Sequence, residues 1–458
     1  MAKVFLCETA TEEQNRKMGM VSEVTNQQYP IGLLYLDSVL TKAGHQVLTK
    51  DYTFWTEENC LKTLEKEVRK FKPDVVGIAV MTMTRVSTYK AIKIIKSINP
   101  KIKIVLGGIH PTVMYEQLLN NFDVDIICIG EAEKSLVEIL DGKKLDKIEG
   151  IAFKKKRKVI VTPQRKLNMD LDNLPFPNYD AYMNPLITQV QMTSSRGCAS
   201  KCSFCCLHNI SHRCWRQRSS KKVVDEIEYV AKKYPWVSTI QFIDDNFTLS
   251  NQRVIEICKV IIKSGIKLDF KCQGRIKPVS AEMFKWMEKA GFIEICFGIE
   301  TGSARMLKSI HKDITPEDCI KTFKLLKDYP KIKPVKFLMV GFPGETLETV
   351  DESIETSIKL HKIIKMDFFL ASPLWIYPGT EVYDYGKSKG WIDDSYWLTN
   401  KPCPYFTLEH PASWLVKMQN RIAMKLMLSQ GRWYFVKRVI TKLINSPKYY
   451  IKRLLNLQ

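Results

Sequence analysis

The cysteine-rich stretch at residues 194–205 reads Ser194-Ser195-Arg196-Gly197-Cys198-Ala199-Ser200-Lys201-Cys202-Ser203-Phe204-Cys205. Cys198, Cys202 and Cys205 therefore lie close together in one short loop. Iron–sulfur clusters are held by cysteine thiolates, and three thiolates in such a loop can bind three of the four irons of a [4Fe–4S] cubane. The fourth iron then stays open to a small molecule, as the fourth position of a catalytic zinc ion does.

A structural zinc site is the alternative explanation for the same thiols. Its fourth ligand would come from one of four nearby residues, Cys206, His208, His212 or Cys214. Closed zinc sites usually pair one Cys-x-x-Cys motif with a second pair farther along the chain. The sequence has no such second pair after Cys205, so it favours the iron–sulfur cluster.

Six strand-like segments between residues 187 and 390 alternate with helical patterns. They are ITQVQMTSS, TIQFIDDN, KLDFKCQGR, IEICFGIE, VKFLMVGFPG and DFFLASPLWIYPG. This alternation predicts a barrel or partial (β/α)6 barrel of parallel strands, whose reactive groups gather at the carboxyl ends of the strands. The candidate residues follow five successive strands in chain order: Cys198, then Asp244 and Asp245, then Arg275, then Glu300, then Gly341 to Glu345. This coincidence predicts that they share one site.

The Cys-x3-Cys-x2-Cys spacing, with Phe204 before the last cysteine, resembles the radical S-adenosylmethionine superfamily over residues 187–390. This resemblance implies that Cys198, Cys202 and Cys205 bind three irons of a [4Fe–4S] cluster. The open iron would bind the amino and carboxylate groups of S-adenosylmethionine. Reductive cleavage of that cofactor would release methionine and a 5′-deoxyadenosyl radical. Phe204 is expected to pack near the cluster and the adenine.

The same resemblance implies cofactor contacts at the other strand ends. Asp244 and Asp245 stand where the family binds the methionyl amino group, often through a Gly-Gly-Glu run, and this departure leaves the ligand open. Glu300 is expected at the ribose hydroxyls, because a carboxylate accepts hydrogen bonds. Arg275 is expected either at the methionyl carboxylate or in an ion pair with Glu300 or Asp245. Gly341 is expected beside the adenine, although a turn that caps a helix explains its motif equally well.

Residues 1–150 show another alternation of short apolar strands and amphipathic helices. Strands of continuous Val, Ile and Leu predict a parallel sheet covered on both faces, which is a doubly wound, Rossmann-like α/β domain. Ligands of such sheets lie at the carboxyl ends of the strands, where Gly107 and Gly108 stand. Residues 151–186 differ: IAFKKKRKVIVTP predicts a hairpin with a basic turn, and a Pro- and Asn-rich linker follows.

The order of α/β domain, linker and cysteine barrel resembles the cobalamin-binding radical S-adenosylmethionine enzymes. Three short motifs share the resemblance: Pro30-x-Gly32-Leu33, Gly107-Gly108-Ile109-His110-Pro111 and Gly130-Glu131-Ala132-Glu133. It implies cobalamin binding by residues 1–150, with Gly107 and Gly108 under the nucleotide tail. An empty or substrate-binding α/β module is the alternative. The sequence lacks the Asp-x-His-x-x-Gly motif by which many cobalamin modules supply a histidine to cobalt, and His110 is a candidate only by its place in a turn.

The composition is that of a globular protein, with 45% hydrophobic and 26% charged residues among 458. No run of about 18 uncharged apolar residues predicts a membrane span, and the N-terminal residues do not resemble a signal peptide. We therefore expect a cytoplasmic protein whose 13 cysteines stay reduced. Cys206 and Cys214 lie outside the family motif, and structural roles are expected for both.

The net charge of +21 predicts an anionic partner. Much of it lies in residues 391–458, which we expect to be helical: Pro411 to Gln458 contain ten Lys or Arg and neither Asp nor Glu. The aromatics among them include Trp414, Trp433 and Tyr434. This pattern favours a helical lid on the barrel or peripheral contact with the inner face of the membrane, which would suit a lipid-like substrate. RNA ranks third, because no RNA-binding module accompanies it.

Three functions compete at this point. The first is a cobalamin-dependent methyltransferase that acts on an unactivated carbon of a small-molecule or lipid-like substrate, with a reductant such as flavodoxin or ferredoxin. The second is a radical cyclase or ring-rearranging enzyme that keeps the cluster and transfers no methyl group. The third is a non-catalytic cobalamin or redox sensor that binds nucleic acid. The third is disfavoured, because a sensor needs no open iron site ringed by acidic, Arg and Gly motifs.

Overall fold

The computed structural model describes residues 1–11, 30–366, 371–403 and 409–431. Seven strands form a sheet in its N-terminal part. They are β1 (Lys3–Glu8), β2 (Gln46–Asp51), β3 (Val75–Ala79), β4 (Lys103–Gly107), β5 (Ile126–Cys128), β6 (Ile151–Lys155) and β7 (Lys158–Val161). Their order is β2-β1-β3-β4-β5-β6-β7. The strands from β1 to β5 are parallel, whereas the β6–β7 hairpin adds antiparallel strands to the edge at β5.

Helices cover both faces of this sheet. They are α1 (Ile31–Lys42), α2 (Glu57–Phe71), α3 (Arg85–Ile98), α4 (Ile109–Asn121) and α5 (Glu133–Leu140). Successive strand residues point to opposite faces, so Val4 and Leu6 join one hydrophobic cluster while Phe5 and Cys7 join another. Burial on both faces explains why the strands read as continuous apolar runs.

The second sheet has six parallel strands. They are β8 (Gln189–Met192), β11 (Thr239–Phe242), β12 (Asp269–Gly274), β13 (Phe292–Glu300), β14 (Lys333–Val340) and β15 (Ser372–Pro373), in the order β15-β14-β13-β12-β11-β8. The order is linear rather than closed, so the described strands form a partial barrel. A short antiparallel ribbon of β9 (Ser195–Arg196) and β10 (Arg216–Gln217) follows the first strand.

Helices separate the barrel strands and continue past them. They are α6 (His208–Ser211), α7 (Ser220–Lys233), α8 (Asn251–Ser264), α9 (Ala281–Ala290), α10 (Ala304–Ser309), α11 (Pro316–Leu326), α12 (Leu347–Ile363), α13 (Glu381–Ser388) and α14 (Ala412–Ser429). Side-chain oxygens fix several of the starts. Ser219, for example, accepts a hydrogen bond from the backbone of Lys222 at 3.1 Å at the start of α7.

The two parts share one hydrophobic cluster. Phe5 and Leu106 of the first sheet belong to the same cluster as Phe342, Trp375 and Trp397 of the C-terminal half. Arg85, at the start of α3, is fully buried and lies over the Trp397 ring at 5.2 Å. The boundary between the predicted domains is therefore crossed by a continuous core.

The described part of the basic C-terminus is the helix α14, which packs against the barrel. Arg421 forms two hydrogen bonds with Asp351 of α12 at 2.7 and 2.8 Å, and Lys425 lies 3.0 Å from the same carboxylate. Leu415 and Met418 are buried beneath the helix. The packing agrees with a helical lid, and the predicted basic and aromatic residues beyond position 431 lie outside the described ranges.

The predicted fold class is confirmed: a Rossmann-like parallel sheet, a partial barrel of parallel strands and a helical C-terminal part. The domain boundaries at residues 150, 186 and 390 stay predictions. Within the ranges given above, no helix is both long and apolar enough to cross a membrane.

Candidate active site

The cysteine loop leaves the barrel directly after β8 and the short strand β9. Gly197 has a φ of +85°, and a Cβ there would lie 2.2 Å from the backbone oxygen of Cys214. Only glycine fits so close an approach without displacing the backbone. The Ser203 amide donates a hydrogen bond to Ile310, and the Ser203 carbonyl accepts one from Val382. Two neighbouring elements thus hold the loop, and Cys214 contributes through its backbone, consistent with a structural role.

The loop opens onto a cavity of about 280 Å³ at the carboxyl ends of the barrel strands. Seven of the residues predicted to form the site line it, namely Cys198, Cys202, Phe204, Cys205, Asp245, Arg275 and Glu300. The three thiols are partly exposed. Burial is the main cause that raises the pKa of Cys205 to about 12, so this thiol carries its proton until a cation binds it.

The two consecutive aspartates after β11 have different surroundings. Both carboxylate oxygens of Asp244 accept hydrogen bonds from the loop: Oδ1 from the Ser194 amide at 2.7 Å, and Oδ2 from the Ser194 and Ser195 hydroxyls. Asp244 is also almost fully buried. Asp245 accepts a bond from the Gly197 amide at 2.9 Å and lines the cavity, and burial raises its pKa.

Glu300 ends β13 in a strained conformation. Its φ is +67°, a region that residues other than glycine rarely occupy, and the register with β14 is irregular at this point. Its carboxylate pairs with Lys312, whose Nζ lies 2.9 Å from Oε1. Both side chains are largely buried. A Cβ at Gly298 would lie 2.5 Å from that oxygen, so glycine at 298 makes room for the pair.

Arg275 also faces the cavity, with a different partner from those predicted. Its guanidinium donates a hydrogen bond to the Ser200 hydroxyl inside the cysteine loop. The ion pair with Glu300 or Asp245 that the sequence left open is replaced by this contact, because Lys312 already occupies the carboxylate of Glu300. Arg275 therefore approaches the loop directly.

Gly341 is not among the described residues that line the cavity of the cysteine loop. Its φ is +98°, and a Cβ there would lie 2.8 Å from Leu415 of α14. Its amide donates a hydrogen bond to the carboxylate of Glu345, which is buried. The next residue, Phe342, packs against Phe204 with ring centroids 5.7 Å apart. The turn therefore supports the cavity through Phe204, and Gly341 itself contacts the C-terminal helix.

A second cavity of about 580 Å³ lies at the carboxyl ends of the N-terminal strands. Gly107 and Gly108 line it. Gly108 has a φ of +96°, and a Cβ there would lie 3.0 Å from the backbone oxygen of Val80. Gly130 and Glu131 line this cavity and also an adjoining one of about 1410 Å³.

His110 is enclosed beside this cavity. Its Nε2 lies 3.2 Å from the Tyr89 hydroxyl, and its Nδ1 lies 3.3 Å from the Thr82 hydroxyl. Burial lowers the pKa of His110 to about 3, which keeps the ring neutral. Because both ring nitrogens have partners within the protein, His110 is a structural residue in this arrangement.

The two cavities adjoin inside the barrel. Gln273, on the inner face of β12, is the one described residue that lines both of them. Gln191, Thr193 and Ile243 extend the N-terminal cavity along the barrel wall towards it. The two cavities therefore lie on either side of Gln273.

Two family models match the chain. The B12 binding domain model matches residues 18–140, and the Radical SAM superfamily model matches residues 192–356. An uncharacterized methyltransferase of Pyrococcus horikoshii is 32% identical over 371 residues, which are 78% of this chain and 78% of that protein. The chain belongs to the B12-binding radical S-adenosylmethionine family. The predicted family is thus confirmed, and the chain is an enzyme of that superfamily.

Two further similarities have lower sequence identity. The anaerobic magnesium-protoporphyrin IX monomethyl ester cyclase of Cereibacter sphaeroides is 28% identical over 353 residues, which are 72% of this chain and 56% of the cyclase. The solved structure of OxsB, a cobalamin-dependent S-adenosylmethionine radical enzyme with aqua-cobalamin and S-adenosylmethionine bound, matches with a TM-score of 0.72 at 18% identity. That match covers 99% of this chain and 72% of OxsB. It shows the fold.

Several residues of this B12-binding radical S-adenosylmethionine enzyme were missed from sequence. Lys312 has no motif of its own, since only the fold brings it to Glu300. Gln273 sits inside the predicted segment KLDFKCQGR, where strand alternation places it with Lys271 on one face. Arg196 carries the clearest missed signal, because it lies two residues before Cys198 and its charge needs a partner when buried. That partner is the Glu131–Glu133 motif, which was noted only as a family feature.

Proposed function

We propose that this enzyme binds a [4Fe–4S] cluster at Cys198, Cys202 and Cys205 and cobalamin in the N-terminal cavity, and that it methylates an unactivated carbon of a small-molecule substrate. One observation carries the proposal: the cavity of the cysteine loop and the cavity of the B12-binding domain adjoin at Gln273. Hydrogen abstraction and methyl delivery act on the same substrate carbon, so they require two reactive centres that face one space.

The cysteine loop fits an iron–sulfur cluster by its chemistry. Three thiols border one cavity, and sulfur is the ligand that iron–sulfur clusters use. In the described ranges, no three Cys, His, Asp or Glu side chains converge on a single-ion site. The thiolates that bind a cubane lie farther apart than those that bind a single ion, because each thiolate binds a different iron. When bound, the cluster would supply the electron that cleaves S-adenosylmethionine.

The polar residues of the same cavity suit a zwitterionic, ribose-bearing ligand. Asp245 offers a carboxylate for the methionyl ammonium group, and Arg275 offers a guanidinium for the methionyl carboxylate. Glu300 offers acceptors for ribose hydroxyls, while Lys312 holds it in place. Phe204 offers an aromatic face for adenine.

Two predicted cofactor residues receive indirect roles in this proposal. Asp244 fixes the cysteine loop through Ser194 and Ser195, since its oxygens are occupied there. Gly341 supports the turn that places Phe342 against Phe204. Both therefore act as positioning residues.

The N-terminal cavity fits a flat, largely apolar macrocycle with polar edges. Leu6, Ile78 and Leu106 give it apolar walls, and Gly107 and Gly108 keep one wall free of side chains. The adjoining cavity of about 1410 Å³ offers room for a nucleotide tail. When bound, cobalamin would supply the methyl group. His110 would not bind the cobalt, because its ring nitrogens lie within hydrogen-bond distance of Tyr89 and Thr82.

The proposed electron donor, a flavodoxin or ferredoxin, is opposite in charge to this chain. Flavodoxins and ferredoxins are acidic one-electron carriers, and a net charge of +21 attracts such partners. The same charge would favour contact with anionic lipid, as proposed above for a lipid-like substrate. The described basic residues of α14 are partly used against Asp351, which supports the lid over the lipid contact.

A radical cyclase is the second candidate, and the similarity to the magnesium-protoporphyrin cyclase favours it. The products separate the two. The anaerobically reconstituted chain would be supplied with cobalamin, S-adenosylmethionine, dithionite and a substrate library. Methyl transfer yields S-adenosylhomocysteine beside 5′-deoxyadenosine, whereas a cyclase or ring-rearranging enzyme yields 5′-deoxyadenosine alone or neither product. A protein that carries iron yet never cleaves S-adenosylmethionine would contradict both.

A further inference from the structure

Glu8 and Asp51 stand side by side at the carboxyl ends of β1 and β2. They are direct register partners in the parallel ladder, and both line the N-terminal cavity of about 580 Å³. The cavity wall around them is apolar, with Leu6, Ile78 and Ala79 among its lining residues. Two carboxyl groups are thus held in an apolar wall at the base of one cavity.

Glu8 is buried and incompletely hydrogen-bonded, which indicates that it contacts a ligand. Its side chain is only 7% exposed, and Oε1 has no hydrogen-bond partner among the described residues. Burial, followed by the charge of Asp51, raises the pKa of Glu8 to about 8, so it is mostly protonated at neutral pH. A buried polar atom without a partner costs stability, and native proteins retain few of them without a function.

Asp51 differs from its neighbour in having an internal partner. Its Oδ1 accepts hydrogen bonds from the Thr53 amide at 2.9 Å and the Thr53 hydroxyl at 2.6 Å. Burial raises the pKa of Asp51 as well, and no nearby cation in the described part of the chain lowers it. Among the described residues that line this cavity, the one Lys or Arg is Arg196, which is held by Glu131 and Glu133. Glu8 therefore faces the cavity as a hydrogen-bonding group rather than as one half of an ion pair.

We infer that Glu8, with Asp51 beside it, binds the carboxamide side chains at the edge of the corrin ring. This inference rests on the proposed function, since cobalamin brings those groups to this cavity. A carboxamide has both N–H donors and a carbonyl acceptor, and a protonated carboxyl group matches it with one acceptor and one donor. Neither Glu8 nor Asp51 lines the cavity of the cysteine loop, so both face the cofactor of the N-terminal domain rather than S-adenosylmethionine.

Cobalamin binding tests the inference without any catalytic assay. Aquacobalamin is equilibrated by dialysis with the full-length, cluster-reconstituted chain and with its variants. We expect Glu8→Ala to weaken binding about tenfold, the effect of about 1.4 kcal/mol from a lost hydrogen bond. Glu8→Gln should stay within about threefold, because its amide keeps one acceptor and can donate. Glu65→Gln, on the exposed face of α2, is the matched control and should bind as the parent chain does.

A second probe identifies which part of the ligand Glu8 contacts. Corrins in which one peripheral carboxamide is hydrolysed to a carboxylate place a negative charge at the ring edge. At pH 9, where Glu8 is ionised, the parent chain should discriminate against the matching monocarboxylate, and Glu8→Gln should discriminate less. Equal discrimination by both chains, for every monocarboxylate tested, overturns the inference.

The outcomes separate this inference from the function on which it rests. If the parent chain binds no aquacobalamin, the proposed cofactor is wrong. If the parent chain binds it and a folded Glu8→Ala binds equally well, the inference alone is wrong, and Glu8 then serves substrate or solvent. Thermal unfolding of the ligand-free variants shows whether Glu8→Ala folds. If it does not, Glu8→Gln and the monocarboxylates still decide.

Discussion

The guanidinium of Arg196 lies 2.7 Å from the carboxylate of Glu133 and 3.3 Å from that of Glu131. Arg196 stands two residues before Cys198, whereas both glutamates belong to the loop and helix after β5. The ring of Tyr35 covers the guanidinium at 4.9 Å. This contact joins the B12-binding domain to the cysteine loop. Arg196 lines both the cavity of about 580 Å³ and the adjoining cavity of about 1410 Å³.

Removing Arg196 should destabilise the protein. Its side chain is 18% exposed, and Arg196→Met leaves the carboxylate of Glu133 without its cation, whereas Glu131 keeps Arg216 at 2.7 Å. Breaking a buried pair in this way costs about 3 kcal/mol, which urea unfolding measures as a lower midpoint. The control is Lys221→Met, which removes an exposed pair with Asp225 and should leave the midpoint unchanged. Equal midpoints for the parent chain and Arg196→Met would show that the contact is incidental.

Cys202→Ala should abolish both iron binding and S-adenosylmethionine cleavage. Two thiols cannot hold the cubane that three are proposed to hold, so iron content after anaerobic reconstitution should fall to background. Cys319→Ala supplies the comparison, because Cys319 is a buried thiol of α11 that does not line the cavity of the cysteine loop. It should keep its iron and its yield of 5′-deoxyadenosine. Full iron content in Cys202→Ala would show that other residues bind the cluster.

Lys312→Met should weaken the binding of S-adenosylmethionine. The lysine holds Glu300 in a strained conformation, and without it the carboxylate loses its partner at 2.9 Å. We expect the dissociation constant to rise about tenfold, corresponding to about 1.4 kcal/mol. Lys277→Met, which removes a half-exposed lysine near Asp318, is the matched variant. If both variants bind the cofactor equally well, Glu300 does not depend on Lys312.

The sequence allowed the strands and the cysteine loop of this site to be predicted. It did not allow the side-chain contacts to be predicted, for physical reasons. The strand segments and the three cysteines follow from local pattern, since apolar periodicity and short spacing are encoded within a few residues. Asp244 and Asp245 could not be separated, because one step along the chain decides which carboxylate faces the cavity. The role of Lys312 could not be predicted, because only the turn that follows α10 brings it to Glu300.

Glu345 should make the stability of the barrel depend on pH. Burial raises its pKa from 4.5 to about 7. A carboxyl group whose folded-state pKa is raised stabilises the fold fully below the unfolded value, near pH 4.5, and this contribution is lost as the pH rises through about 7. The difference between the two values corresponds to about 3 kcal/mol.

Urea unfolding at pH 5 and pH 8 measures this effect. Relative to Glu345→Gln, the parent chain should lose stability between the two values. Glu348→Gln, in the first turn of α12, should track the parent chain at both. A parent chain and a Glu345→Gln variant that stay parallel from pH 5 to pH 8 would contradict the buried, protonated state of Glu345.

The hydrophobic cluster that joins Phe5 and Leu106 to Phe342 and Trp397 has a consequence for folding. Part of the apolar surface of each half is buried against the other half. Calorimetry should therefore show the two halves melting together in a single cooperative transition, and a chain cut in the linker should aggregate. This shared core also fixes the relative position of the two cavities, so no hinge is needed to align them.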